Sequence, residues 1–231
     1  MKQSLIIGVL ALCTLSGCTE GTASQKEQAV PVKKSKLGKG VYLEVQGEQR
    51  RVVVDAYVCL REGALEQFLT RKGTKEHEAI LAADVDAREI HMALIAAGAE
   101  DGKPVQFQPK YKPATGSVIK INVAYEDNGK QVEVPARTWI RDHKGKDLAH
   151  DWVFGGSMFF KDPLDKDKKP FYAANDGDVI CVSNFDTAML DLPIQSSQSA
   201  DELVYEAHTQ RIPKLGTPVL VILEPVLKKK Q

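Results

Sequence analysis

No excess of charge marks this sequence: its 231 residues carry 31 basic and 31 acidic side chains. That balance gives no electrostatic argument for nucleic acid or for an anionic membrane surface. Cysteine is scarce, with only Cys13, Cys18, Cys59 and Cys181. No apolar run reaches the roughly 20 residues that a membrane-spanning helix needs, and no segment repeats at a fixed period. Compact catalytic signatures are missing as well. The HExxH spacing is not met. Gly155-Gly156-Ser157 lacks the last glycine of Gly-x-Ser-x-Gly, because Phe159 stands there. Asp162, Asp165 and Asp167 lack the central glycine and final glutamate of a calcium loop.

What is present starts at the N-terminus. Lys2 precedes an apolar stretch, residues 5–15, of the length expected for a secretory signal. Leu15-Ser16-Gly17-Cys18 follows at once. An apolar residue, two small residues and a thiol form the lipobox pattern, in which the cysteine sulfur takes up a diacylglycerol before cleavage. Residues 1–17 are therefore expected to be a lipoprotein signal peptide, and Cys18 the acylated first residue of the mature chain. Thr19 is not the aspartate associated with inner-membrane retention, so the expected location is the cell envelope, on the periplasmic face of the outer membrane. Residues 18–39, rich in Ser, Thr, Gln, Lys and Gly, read as a flexible tether. A single domain is expected over 40–227, with a short basic tail at 228–231.

This assignment settles the thiol count. Cys13 leaves with the signal and Cys18 carries lipid, so Cys59 and Cys181 remain. In an oxidising envelope they could form one disulfide or stay as two buried thiols. An iron–sulfur cluster, which usually needs four cysteine ligands, is not expected.

Within the domain, residues 41–45 and 51–60 around Gly47-Glu48 read as a β-hairpin. Residues 63–71 place Ala64, Leu65, Phe68 and Leu69 at helical spacing. Residues 75–82 fit helix or strand. The clearest helix spans about 86–98: Asp86 and Glu89 form a capping box, and Ile90, Ala93, Leu94 and Ala97 share one face. Later segments read as strands, with turns at Asp127-Asn128-Gly129-Lys130 and Asn175-Asp176-Gly177. The expected class is α+β: a mainly antiparallel sheet with one well-defined helix and one or two shorter ones.

The densest ionisable cluster is Lys75-Glu76-His77-Glu78, and His91 lies on the following helix. His77, Glu78 and His91 form a candidate divalent-metal set. The competing reading is a solvated charged strand and a polar helix position. Ser157 reads better as part of a bulge than as a nucleophile. Asn184, Asp186 and Asp191 read as turn and cap chemistry, and Asp151 with His143 or His150 as a loosely held acid–base pair.

Several separated segments resemble the YdjY-type domain of bacterial envelope proteins. They are Lys75-Glu76-His77-Glu78, residues 86–98 with His91 and Leu94, Trp152-Val153-Phe154-Gly155-Gly156-Ser157, residues 177–185, and Ala188-Met189-Leu190-Asp191-Leu192-Pro193. The likeness covers roughly residues 52–225. It implies domain identity and no particular activity. The expectation is a non-catalytic envelope module, held to the membrane by its N-terminal lipid, that binds a protein or ligand partner. The alternative is a metal-binding protein or metal-dependent enzyme using His77, Glu78 and His91.

Overall fold

Buried side chains recur at every second position of the longest strands, with both faces covered at Val52–Val54 and Val221–Leu223, and this sets the architecture. The structure, a computed structural model, describes residues 30–161, 164, 167, 169–196 and 205–227. The signal region, Cys18, the tether up to residue 29, Asp162, Asp165 and the tail 228–231 lie outside the described residues.

The strands in chain order are β1 (Lys33–Gly38), β2 (Val41–Gln46), β3 (Gln49–Val58), β4 (Gln67–Arg71) and β5 (Ala79–Ala83), followed by the helix α1 (Ala87–Ala96). Then come β6 (Val118–Asp127), β7 (Lys130–Pro135), β8 (Ile140–Asp142), β9 (Trp152–Phe154) and β10 (Phe159–Phe160). The last are β11 (Phe171–Tyr172), β12 (Ile180–Cys181), β13 (Leu190–Asp191), β14 (Tyr205–Ala207) and β15 (Pro218–Pro225).

Eight of these strands close into a barrel, in the order β3, β15, β6, β9, β13, β12, β4, β5 and back to β3. The closing pair sets Tyr57 opposite Ala82 and Val58 opposite Leu81. β1 and β2 extend the wall beside β3, and β7 pairs with β6. Val54, Val221 and Val123 lie in register across β3, β15 and β6, within alternating buried sets on each strand. Such sets fill a small barrel with side chains. Phe68 packs between Trp139 and Trp152, with ring centroids 6.5 and 5.8 Å away, and all three are buried. α1 packs its buried Ala87, Ile90, Ala93 and Leu94 inward and contacts β1, β2 and β3.

The expected α+β class is therefore corrected: the domain is a mainly β closed barrel with one α-helix among the described residues. Residues 63–71 form no helix. Their second half is β4, buried along Gln67–Thr70. A strand covered on both faces carries a continuous apolar run, which imitates a helical face over so short a length. Nor does Asn175-Asp176-Gly177 make a hairpin. It closes a 3-10 turn, and the strands flanking it pair elsewhere, β11 with β10 and β12 with β13 and β4. Two pairings, β4–β5 and β12–β13, are parallel. Order also starts inside the stretch read as tether, because β1 pairs with β2 from Lys33 onward. The helix lies within its expected span, with Asp86 as N-cap accepting the Arg88 backbone N–H. Glu89 does not close a capping box: its carboxylate accepts the Lys39 backbone N–H instead.

Phe68→Ala should lower the unfolding free energy by about 3–5 kcal/mol, the usual range for deleting a buried aromatic ring. Denaturant unfolding followed by tryptophan fluorescence measures this directly, since both tryptophans touch the ring.

Candidate functional site

The metal set does not assemble. His77 is exposed, and its Nε2 lies 3.8 Å from the Glu78 carboxylate. His91 sits half-buried on α1 among different partners. Its Nδ1 is 2.9 Å from the Tyr172 hydroxyl, which donates to the Gly156 carbonyl at 2.9 Å. With that hydroxyl proton committed, His91 donates its Nδ1–H to the Tyr172 oxygen. The imidazole also packs edge-on against Phe154, with centroids 4.8 Å apart. Burial lowers the His91 pKa, against an opposing pull from Asp101. Among the described residues, no three His, Cys, Asp or Glu side chains are placed to hold one metal ion.

Gly155-Gly156-Ser157 is the bend that His91 leans on. Gly156 has φ +86°, and a Cβ there would come 3.2 Å from Asp101 and 3.7 Å from His91. Ser157 also takes a left-handed φ, +56°, which is costly for a residue with a side chain. Its hydroxyl donates to the Thr187 carbonyl at 2.6 Å and accepts the Ala174 N–H at 3.1 Å. Both contacts tie it to the wall.

A second polar cluster surrounds Asp178. Lys75 Nζ lies 2.9 Å from Asp178 Oδ1 and 4.7 Å above the Phe185 ring. Gln67 and Thr187 donate to the same carboxylate at 3.1 and 2.5 Å. Burial opposes the Lys75 charge, but Asp178 outweighs it and raises the lysine pKa. Beside them, burial and the neighbouring Glu78 raise the Glu66 pKa. Sequence reading singles out Lys75 and Glu78 but not Glu66, Gln67 or Asp178, which reach them from distant positions in the chain.

A third cluster centres on the buried Asp191 and Asn184. Asp191 Oδ1 accepts the Leu192 N–H at 2.7 Å and the Asn184 amide at 3.0 Å. Asn184 Oδ1 in turn accepts from Tyr111 and from the Ser196 N–H. Burial pushes Asp191 up to about 7. Its Oδ2 completes no hydrogen bond among the described residues, and Asn184 with the Leu192 and Phe185 backbone opposes the upward shift. Asp186 is exposed. Asp151 pairs with Arg137 at 3.1 Å rather than with a histidine.

Cys59 and Cys181 are both free thiols. Cys181 pairs with Gln67 on β4, β4 pairs with β5, and Cys59 bonds to β5 through Ile80. At about 4.8 Å per strand, three spacings put the two cysteines on the order of 14 Å apart round the wall. A disulfide needs Cα atoms within about 7 Å. Burial pushes the Cys59 thiol up to about 12 and the Cys181 thiol well above its ordinary value. Neither is a thiolate nucleophile at neutral pH.

Two open clefts lie beside α1. One, of about 330 Å³, is lined by Arg71, Asp86, Arg88, Lys169, Pro170, Phe171, Tyr172 and Asn175. The other, of about 460 Å³, is lined by Leu37, Asp86, Arg88, Glu89, Met92 and Ala96. Asp86 and Arg88 belong to both. Arg88 grips Asp86 through Nε and a terminal nitrogen, and these bonds, with Asn175, hold the carboxyl well below the usual range despite its burial. Asn175 Oδ1 accepts the Ala87 N–H at 2.8 Å. The first helix N–H groups are therefore already used, and the net positive charge of the first cleft comes from side chains.

The domain is thus a filled β-barrel in which His91, Ser157, Lys75 and Asp191 bond to neighbours within the fold, and two open clefts lie beside its helix. It belongs to the YdjY domain family, whose model matches residues 43–224. Comparison with curated proteins and with solved structures finds no match.

Asp191 generates a pH prediction. The folded state holds its proton up to about pH 7, whereas an unfolded aspartate releases it near pH 4. The folded state therefore binds more protons between those values, and this group's contribution to stability falls as pH rises through that window. Asp191→Asn keeps the acceptor oxygen and removes the charge. It should gain stability over wild type on going from pH 5 to pH 8, by on the order of a few kcal/mol. Urea melts at both pH values measure the difference; an equal difference at both would contradict the assignment.

Proposed function

We propose that the protein is a membrane-anchored envelope lipoprotein whose barrel is a non-catalytic binding module. The anchor half of this reading rests on sequence: the lipobox ending at Cys18 and the polar stretch behind it. The binding half rests on one structural observation. The side chains with the best chemistry are tied to partners inside the fold, while the clefts at α1 stay open. His91 is held by Tyr172, Ser157 by Thr187 and Ala174, and Lys75 by Asp178. Clefts of about 330 and 460 Å³ fall in the size range of small-ligand sites, roughly 300–1,000 Å³. A module of this kind presents a preformed surface near the bilayer and needs no lid or cofactor to do so.

Cys18→Ser should move the protein from the membrane to the soluble fraction of the envelope. Mass spectrometry of the wild-type N-terminal peptide should show acyl chains on Cys18. Retention of the variant in washed membranes, or an unmodified Cys18, would defeat the anchor half of the reading.

A further inference from the structure

We propose that the two clefts beside α1 together take an anionic phospholipid of a bilayer, with the phosphate in the Arg71–Arg88–Lys169 cleft and the acyl region against Leu37 and Met92. This deepens the anchored-module reading and rests on it for proximity to a membrane.

Three features carry the proposal, the two clefts being joined through Asp86 and Arg88. The first is local charge. Arg71, Arg88 and Lys169 converge on one cleft whose one acidic lining residue, Asp86, is already held by Arg88. The chain's overall neutrality conceals this patch. Of the nearby acidic groups, Asp84 pairs with Lys39, while Glu89 lines the second cleft and accepts the Lys39 backbone N–H at 3.1 Å.

The second feature is apolar exposure directly beside the charge. Met92 is 64 % exposed, Leu37 43 % and Phe171 41 %. Phe171 belongs to the β10–β11 hairpin, which also exposes Phe159 and Phe160. Cations next to exposed aromatic and aliphatic side chains match the boundary between headgroups and acyl chains. A free inorganic anion would use only the first half of this arrangement.

The third feature is position along the chain. α1 packs on β1, and β1 starts at Lys33, about fifteen residues after Cys18. Such a segment spans at most about 50 Å when extended, so the face is joined to the acylated cysteine by a short connection.

The test uses residues 31–231, which form a compact unit holding the whole described core, so that the acyl anchor makes no contribution. Flotation is measured with vesicles of phosphatidylcholine alone and with about one-third phosphatidylglycerol. Each basic side chain near an anionic surface is worth roughly a fivefold gain in affinity. Binding to the anionic vesicles should therefore exceed binding to neutral ones by at least tenfold or so, and weaken with salt. Lys169→Glu should cost roughly tenfold and Met92→Ser several-fold. Lys130→Glu, at the β6–β7 turn, makes the same charge change and should leave binding within about twofold. Thermal melts check that all three variants fold. Equal binding to both vesicle types, or an equal loss in Lys130→Glu, would overturn the proposal. So would full displacement by inorganic phosphate at constant ionic strength, which would mark a free-anion site. Because the anchor is absent, any of these results leaves the Cys18 fractionation experiment to stand or fall separately.

Discussion

The hydrogen bonds between β3 and β5 turn a sheet into a barrel, and the rest of the molecule depends on that closure. An open sheet of this length would leave two rows of unpaired backbone groups and two solvent-facing flanks. Closure removes both edges of the eight-stranded ring. It also brings Phe68, Trp139 and Trp152 into one cluster, although they come from β4, a 3-10 turn and β9. Buried side chains fill the barrel among the described residues, and the two clefts described above lie outside it, beside α1.

Close backbone approach is the second constraint. A Cβ on Gly116 would lie 2.1 Å from the Phe154 carbonyl oxygen, so only glycine fits where the loop crosses β9. Gly156, just beyond Phe154 and under His91 and Asp101, favours glycine for another reason, its left-handed φ of +86°. The motif 152–157 thus works as a joint. It ends a barrel strand, bends sharply, and presents a carbonyl to Tyr172, which in turn fixes the imidazole. Its conspicuous glycines and serine serve packing.

What can be read from the sequence divides by distance along the chain. The capping residue of α1, the β6–β7 turn and the β2–β3 hairpin are local features, written in adjacent residues. The barrel is not, because its closure pairs residues 49–58 with 218–225 and 79–83. Strand β4 passes for a helix because a segment buried on both faces carries no alternation. The candidate metal set fails for a related reason: the residue types are right, but His77 points to solvent while His91 is turned toward Tyr172. The cationic cleft is illegible in the same way, since Arg71, Arg88 and Lys169 are isolated charges until the fold gathers them.

The position of β3 in the ring bears on when the domain can form. It is among the first strands made, yet both its ring neighbours come later, and one of them, β15, ends only at Pro225. The long loop this pairing must close carries an entropic cost that no local contact offsets early. A chain still emerging from a ribosome lacks the strand that seals its wall, and so stays open until β15 is free to pair. A barrel locked by β15 is in this sense a clock, because its early strands wait for residues 218–225.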